Sequence, residues 1–317
     1  MEYINIKFDF FDYIDNVPCD IFIRLSSGKT LKLFSANEAK DVDRIKAYQE
    51  KGLKEFYIQK DDFYKHSKTF FNEDVIEKAL EITPTVIADQ YLAVIQEMTS
   101  DIGIDETTLK TAVRLEEEIL KQSSSEKVVK GLFDRFAKQQ GNFLYSHSYL
   151  TAVMCLQFAK KMDWGTKEIQ KKLYMAAIFH DLGYQNPRSV FYENSDLDGL
   201  EKLPEKVRVD ILNHVPVIIE RLKKMKNIPE DVINIIKYHH GGLGEQSYPL
   251  KMHATELALL PCVFILCHEF VKNLFKVSFR KDKIPEALSK TINKYNSGKF
   301  KSLTSPFIDV VTEMGDL

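Results

Sequence analysis

Seven of the eight histidines in this 317-residue chain fall between His147 and His268, and six of them interrupt or close an apolar run. His147 lies in "LYSHSYL", His180 stands beside Asp181 in "IFHDLGY", and His214 lies in "LNHVP". His239 and His240 end "INIIKYHH", and His268 lies in "ILCHEF". A single buried imidazole is readily satisfied by backbone, but several on separate helices are costly to bury without partners. A metal uses each lone pair, so a fold that gathers these rings around ions makes the pattern coherent. Consecutive helical residues point roughly 100° apart, so a His-Asp or His-His pair can serve two neighbouring ions with the carboxylate between them.

The periodicity of apolar residues changes once along the chain. "YINIKFDF" and "CDIFIRL" alternate apolar and polar residues, "SSGKT" supplies a turn and "LKLF" follows, which predicts strands that include a hairpin. "ANEAKDVDRIKAYQEKG" has helical spacing up to Gly52, "EFYIQ" reads as another strand, and "KDDFYKHSKTFF" as a short helix. Beyond that, helical segments take over, expected at 142–162, 166–181, 205–225, 230–240, 256–276 and 285–295. The expected fold class is α+β: a small N-terminal α/β module over residues 1–73 followed by an all-α domain over residues 74–317. "GTKE" at Gly165 reads as a helix cap, and "RLKKMK" from Arg221 as a solvated helix face.

Lys and Arg total 44 against 46 Asp and Glu, so the formal charge of -2 supplies no global field for nucleic acid or anionic membrane. DNA and RNA are not expected partners. Cys19, Cys155, Cys262 and Cys267 form no CxxC pair, and "MEYINIKFDF" lacks the basic and apolar regions of a secretory signal. The longest apolar run, "LALLPCVFILC", has 11 residues and contains Pro261, short of the roughly 20 that span a bilayer. These features lead to the expectation of a soluble, cytoplasmic protein with reduced thiols and no membrane span.

The order His147, His180-Asp181, His214, His239-His240, then a donor 28 residues after the second His of that pair, resembles the HD-GYP family. The resemblance covers roughly residues 74–280, and the N-terminal module is similar to the small regulatory domain that some members carry. It implies an HD-GYP-like helical domain that holds two or three metal ions, usually iron or manganese, and hydrolyses cyclic di-GMP. The ligands it implies are His147, His180, Asp181, His214, His239, His240 and His268. Members have an aspartate at the last of these positions, and the imidazole of His268 retains a donor there. The glutamate that adds a third ion in some members falls at Phe143, which cannot ligate, so two divalent transition-metal ions are expected, iron first, with manganese or zinc as alternatives.

Departures from the family pattern are concentrated outside the ligands. Where members read HHExxDGxGYP this chain reads "HHGGLGEQSYP", which keeps Tyr248 and Pro249 but has Gly241, Gly244 and Ser247 at characteristic positions. Tyr184 stands where members offer a lysine to phosphate, and "VSFR" stands for "RPY" plus a basic residue, so that Arg280 remains and Val277 replaces the arginine. The substrate contacts implied are Tyr184, Tyr248 and Arg280.

The activity implied is a metal-dependent phosphodiesterase that hydrolyses cyclic di-GMP or a related cyclic dinucleotide through a metal-bridging hydroxide, with Asp181 as the catalytic carboxylate. The alternative is a degenerate member that binds metal or nucleotide as a non-catalytic sensor or interaction module. An HD-type hydrolase of another phosphate ester is a third reading. The input sensed by the N-terminal module, a signalling-protein partner and a homodimer stay open.

Overall fold

The computed structural model describes residues 3–7, 17–25, 27–53, 55–66, 133, 143–186, 189, 197–225, 228–241 and 256–315. The chain divides into two compact units, Met1–Tyr91 and Leu92–Leu317. The expected domain boundary after residue 73 lies outside the described residues.

In the first unit, β1 (Tyr3–Lys7), β2 (Ile21–Arg24), β3 (Thr30–Phe34) and β4 (Glu55–Gln59) form one antiparallel sheet in the order β1-β4-β2-β3. Alternation puts Ile21 and Ile23 of β2, and Phe56 and Ile58 of β4, into the core. The β2–β3 hairpin turns at Gly28, whose φ of 81° is free of the Cβ penalty only for glycine. Between β3 and β4 runs α1 (Val42–Glu50), capped by Asp41, which accepts the Arg44 amide hydrogen bond at 2.9 Å. After β4 comes α2 (Lys60–Lys65), with Phe63 buried. Helix α1 thus delivers the last strand to the middle of the sheet, between β1 and β2.

The described part of the second unit is helical: α3 (Phe143–Lys160), α4 (Lys167–Phe179), α5 (Glu205–Lys223), α6 (Glu230–Tyr238), α7 (Leu259–Lys276), α8 (Ile284–Lys294) and α9 (Phe300–Gly315). The α+β class expected from periodicity is therefore observed. Helices α3 and α7 are apolar on nearly every face and form the centre of the unit, as such helices must. Helix α3 packs on α4, α7 and α9, while α6 packs on α4, α5 and α7. Helix α9 lies beyond the last individual helix expected from sequence; it carries Pro306 in its interior and buries Leu303, Phe307, Val310 and Val311. The cap expected at "GTKE" is present, with Thr166 accepting from the Ile169 amide.

The turn that follows α4 is clamped to α5. Asp210 accepts hydrogen bonds from the Gln185 amide at 2.8 Å, the Asn186 amide at 3.0 Å and the Ser189 hydroxyl at 2.7 Å. Arg221 donates to the Leu182 carbonyl at 3.0 Å. The expectation of a solvated face is corrected at Arg221, which is half-buried; among the described residues of that run Lys223 and Lys224 are the exposed ones. Gly183 lies directly against α5, and a Cβ there would overlap the His214 carbonyl. Gly183→Ala is expected to cost about 1–3 kcal/mol by overpacking backbone against backbone. Urea denaturation would show a lowered midpoint at unchanged slope; an unchanged midpoint would contradict the close approach.

Candidate metal centre

Five helices of the second unit each bring one or two polar side chains to a single interior point. His147 comes from α3, His180 and Asp181 from the end of α4, His214 from α5, His239 and His240 from the end of α6, and His268 from α7. Five of the six rings, together with Asp181, are fully buried, and His240 is half-buried. Each arrives on an apolar stripe because its neighbours one turn away, such as Ile211 and Ile218 around His214, belong to the core.

The donors fall into three-residue groups: His147, His180 and His268; His214, His239 and His240; and His180, Asp181 and His239, which joins the first two. Within each, one donor atom per residue lies within 4.8 Å of the others. Asp181 sits between them. Its Oδ2 is 3.1 Å from His180 Nε2 and 4.0 Å from His147 Nε2, while its Oδ1 is 3.9 Å from both His214 Nε2 and His239 Nε2. One carboxylate therefore turns a different oxygen to each three-histidine group.

The tautomers follow from the backbone. Nδ1 of His180, His214 and His239 lies 2.8, 2.6 and 2.7 Å from the carbonyls of Ala177, Ile211 and Ile236, each three residues earlier. A carbonyl only accepts, so Nδ1 carries the proton in the neutral ring and the Nε2 lone pair faces the centre. His214 Nε2 then meets His239 Nε2 at 3.4 Å as acceptor against acceptor, and His180 Nε2 meets Asp181 Oδ2 at 3.1 Å in the same way. Neither Asp181 oxygen receives a hydrogen bond from the described residues. Donors bound at about 2.1 Å to one ion stand roughly 3.0–3.4 Å apart, so a cation relieves these contacts at the spacing seen. The residues fit divalent metal.

The electrostatics favour the same chemistry. Burial, countered by Asp181 and reinforced by His180, pushes the His147 imidazole down to about 3. Burial, followed by neighbouring rings, also holds His239, His240 and His268 well below the ordinary histidine range. All four rings are neutral near pH 7, the form that ligates. Burial alone would raise the Asp181 carboxyl, but His180, His147 and His214 outweigh it and hold the group below the usual carboxylate range.

Of the remaining residues singled out from sequence, Tyr184 and Arg280 are described. Tyr184 is 2% exposed and stacks on His214, with ring centroids 4.2 Å apart and planes 7° apart. Arg280 is exposed and forks onto Asp282 at 2.7 and 3.2 Å. Tyr248 lies outside the described residues. Sequence reasoning missed Asp210, Arg221 and Gly183, which hold the turn carrying Asp181; the four-residue step from Asp210 to His214 was the only trace of Asp210's face. Among the described residues no helix is long and apolar enough to cross a membrane.

Residues 144–268 match the family model of the HD domain. A solved structure described as Bd1817, a HDG"Y"P protein from Bdellovibrio bacteriovorus, is similar in fold over 99% of this chain and 99% of its own, with a TM-score of 0.54 and 13% sequence identity. Among curated proteins none matches this chain.

Protonation and stability are linked at this centre. The four depressed histidines bind no proton when folded, yet do so when unfolded below their ordinary value of about 6.5, so the unfolded state gains protons as pH falls. Their stability contribution is complete above about pH 6.5 and shrinks towards pH 3. Asp181 acts in the same direction, because a depressed carboxylate loses its contribution in acid. The chelator-treated protein is expected to hold its melting temperature from about pH 8 to 7 and to lose it progressively below about 6.5. A melting temperature that rises on acidification would contradict neutral buried rings.

Proposed function

We propose, on the premise that residues 144–268 of this chain form an HD domain, that the protein is a metal-dependent phosphodiesterase acting on cyclic di-GMP or a related cyclic dinucleotide. The observation that carries this reading is Asp181, with one oxygen turned to His180 and His147 and the other to His214 and His239. Two divalent ions suit that arrangement. His147, His180 and His268 would hold one and His214, His239 and His240 the other, with Asp181 within reach of both groups. A set this rich in imidazole suits a transition metal, iron first with manganese or zinc as alternatives, better than magnesium.

When bound, the ions supply the charge that polarises a phosphoryl oxygen and makes a water acidic enough to attack phosphorus. The chain supplies the rest. Asp181 sets the spacing of the two groups and, as the single carboxylate among the seven donors, leaves the centre with a net positive charge for an anionic ester. The carbonyls of Ala177, Ile211 and Ile236 fix the rings that they bond, so that little reorganisation is needed on binding. Tyr184 braces His214 by stacking, and substrate contact falls to Tyr248 and Arg280. The choice of a cyclic dinucleotide rests on the consecutive histidines and the "SYP" that follows them, and on the fold shared with a protein described as HDG"Y"P.

Purified protein should linearise cyclic di-GMP in a reaction that a chelator stops and iron or manganese restores. Asp181→Asn is expected to lower the rate at least about 100-fold, since both groups lose their shared carboxylate. Protein that keeps its metal yet cleaves no cyclic dinucleotide would overturn the reading.

A further inference from the structure

The turn that carries Asp181 leaves α4 at His180 and then engages α5 almost residue by residue. The Leu182 carbonyl accepts from Arg221 at 3.0 Å, Gly183 lies against the His214 carbonyl, and the Tyr184 ring stacks on the His214 ring. The Gln185 and Asn186 amides and the Ser189 hydroxyl then converge on Asp210, whose Oδ1 accepts the first bond and Oδ2 the other two. Asp210, His214 and Arg221 are spaced i, i+4 and i+11, so one face of α5 bears both a candidate ligand and the anchors on either side of it. Among the described helices α5 packs mainly on α6, so its tie to the end of α4 runs through this turn. Tyr184 packs with Ile211 and Leu200 in a small apolar cluster, a non-directional contact that holds the turn near α5 without fixing its position along the helix. On another side of the turn a cleft of about 460 Å³ opens, lined by Gly183, Gln185, Asn186, Ser189 and Asp210 among others, so directed bonds and not core packing hold it there.

We propose that Asp210 is a positioning residue of the metal centre: by holding Gln185, Asn186 and Ser189 it keeps the Asp181 carboxylate opposite His214, at the 3.9 Å seen between Asp181 Oδ1 and His214 Nε2. The inference rests on the two-ion reading of the centre given above. Among the described donors His214 is the one that α5 supplies, whereas His147, His180 and His268 come from α3, α4 and α7. Loosening the tie between the turn and α5 therefore shifts Asp181 relative to the group of His214, His239 and His240, and leaves the group of His147, His180 and His268 in place. A carboxylate that accepts from two backbone amides and a hydroxyl makes a stronger and better oriented tie than one neutral hydrogen bond. Small displacements matter here, because a carboxylate shared by two ions has to meet both at once.

The test uses the full-length, chelator-treated protein titrated with manganese, as the unaltered chain and as Asp210→Ala, Asp210→Asn and Thr166→Ala. Affinity for each ion is read by calorimetry, and the pair by electron paramagnetic resonance, which separates two exchange-coupled manganese ions from isolated ones; kcat and KM are read with cyclic di-GMP. Asp210→Ala should bind the first ion as the unaltered protein does and the second about tenfold or more weakly, with the coupled signal giving way to that of isolated manganese. Its kcat should fall with KM little changed, because Asp210 acts through the turn. Asp210→Asn keeps an acceptor oxygen but turns a donor towards one of the three donors, and should fall between. Thr166→Ala removes the cap at the opposite end of α4 and should bind both ions normally. Unaltered affinity for both ions in Asp210→Ala overturns the inference, as does an equal weakening of both ions or a matching loss in Thr166→Ala. If Asp210→Ala does not fold, the difference between the two ions in Asp210→Asn decides in the same way. A single ion in the unaltered protein overturns the two-ion reading and the role of Asp210 together. If the metal series behaves as described but no cyclic dinucleotide is cleaved, the substrate reading falls and the role of Asp210 stands.

Discussion

The second unit is organised around a carboxylate that the described protein does not itself satisfy. Asp181 is 2% exposed, ionised, and flanked on both sides by imidazole lone pairs rather than by hydrogen-bond donors. Burying such a charge costs several kcal/mol unless a counter-charge comes close. His180, His214 and His239 direct Nδ1 to helix carbonyls and leave Nε2 facing the carboxylate. Divalent ions in the two groups would satisfy the carboxylate and the lone pairs together, and so turn an unfavourable cluster into a stabilising one.

The surrounding fold limits how far that cluster can relax. Helices α3 and α7 are buried almost all round, and the turn bearing Asp181 is tied to α5 by Asp210, Arg221 and the close approach at Gly183. Three of the rings are fixed through their own helix backbones. The donors are therefore held by the same contacts that hold the core, which favours a prearranged site over one assembled by the metal. With an imidazole at His268, Asp181 is the single carboxylate among the seven donors.

Much of the fold was legible because it depends on local periodicity. The β-rich opening and the change to helices are visible in apolar spacing, and six helices fall within a few residues of their expected limits. The position of β4 between β1 and β2 was not legible, since strand order depends on contacts between distant segments. Helix α9, with Pro306 in its interior, was not delimited from sequence. In the centre, the residues that the structure gathers could be read as a pattern of imidazoles on helical stripes. What could not be read was direction: that Tyr184 stacks on His214 and that Arg221 reaches a backbone carbonyl. These depend on rotamer and packing, which spacing alone does not determine.

The proposed pair of ions bridged by Asp181 is tested most directly by anomalous X-ray scattering from crystals of the protein loaded with iron or manganese. Two peaks are expected, one among His147, His180 and His268, the other among His214, His239 and His240, with the Asp181 carboxylate between them. A single peak, or metal bound away from these histidines, would contradict the shared-carboxylate centre.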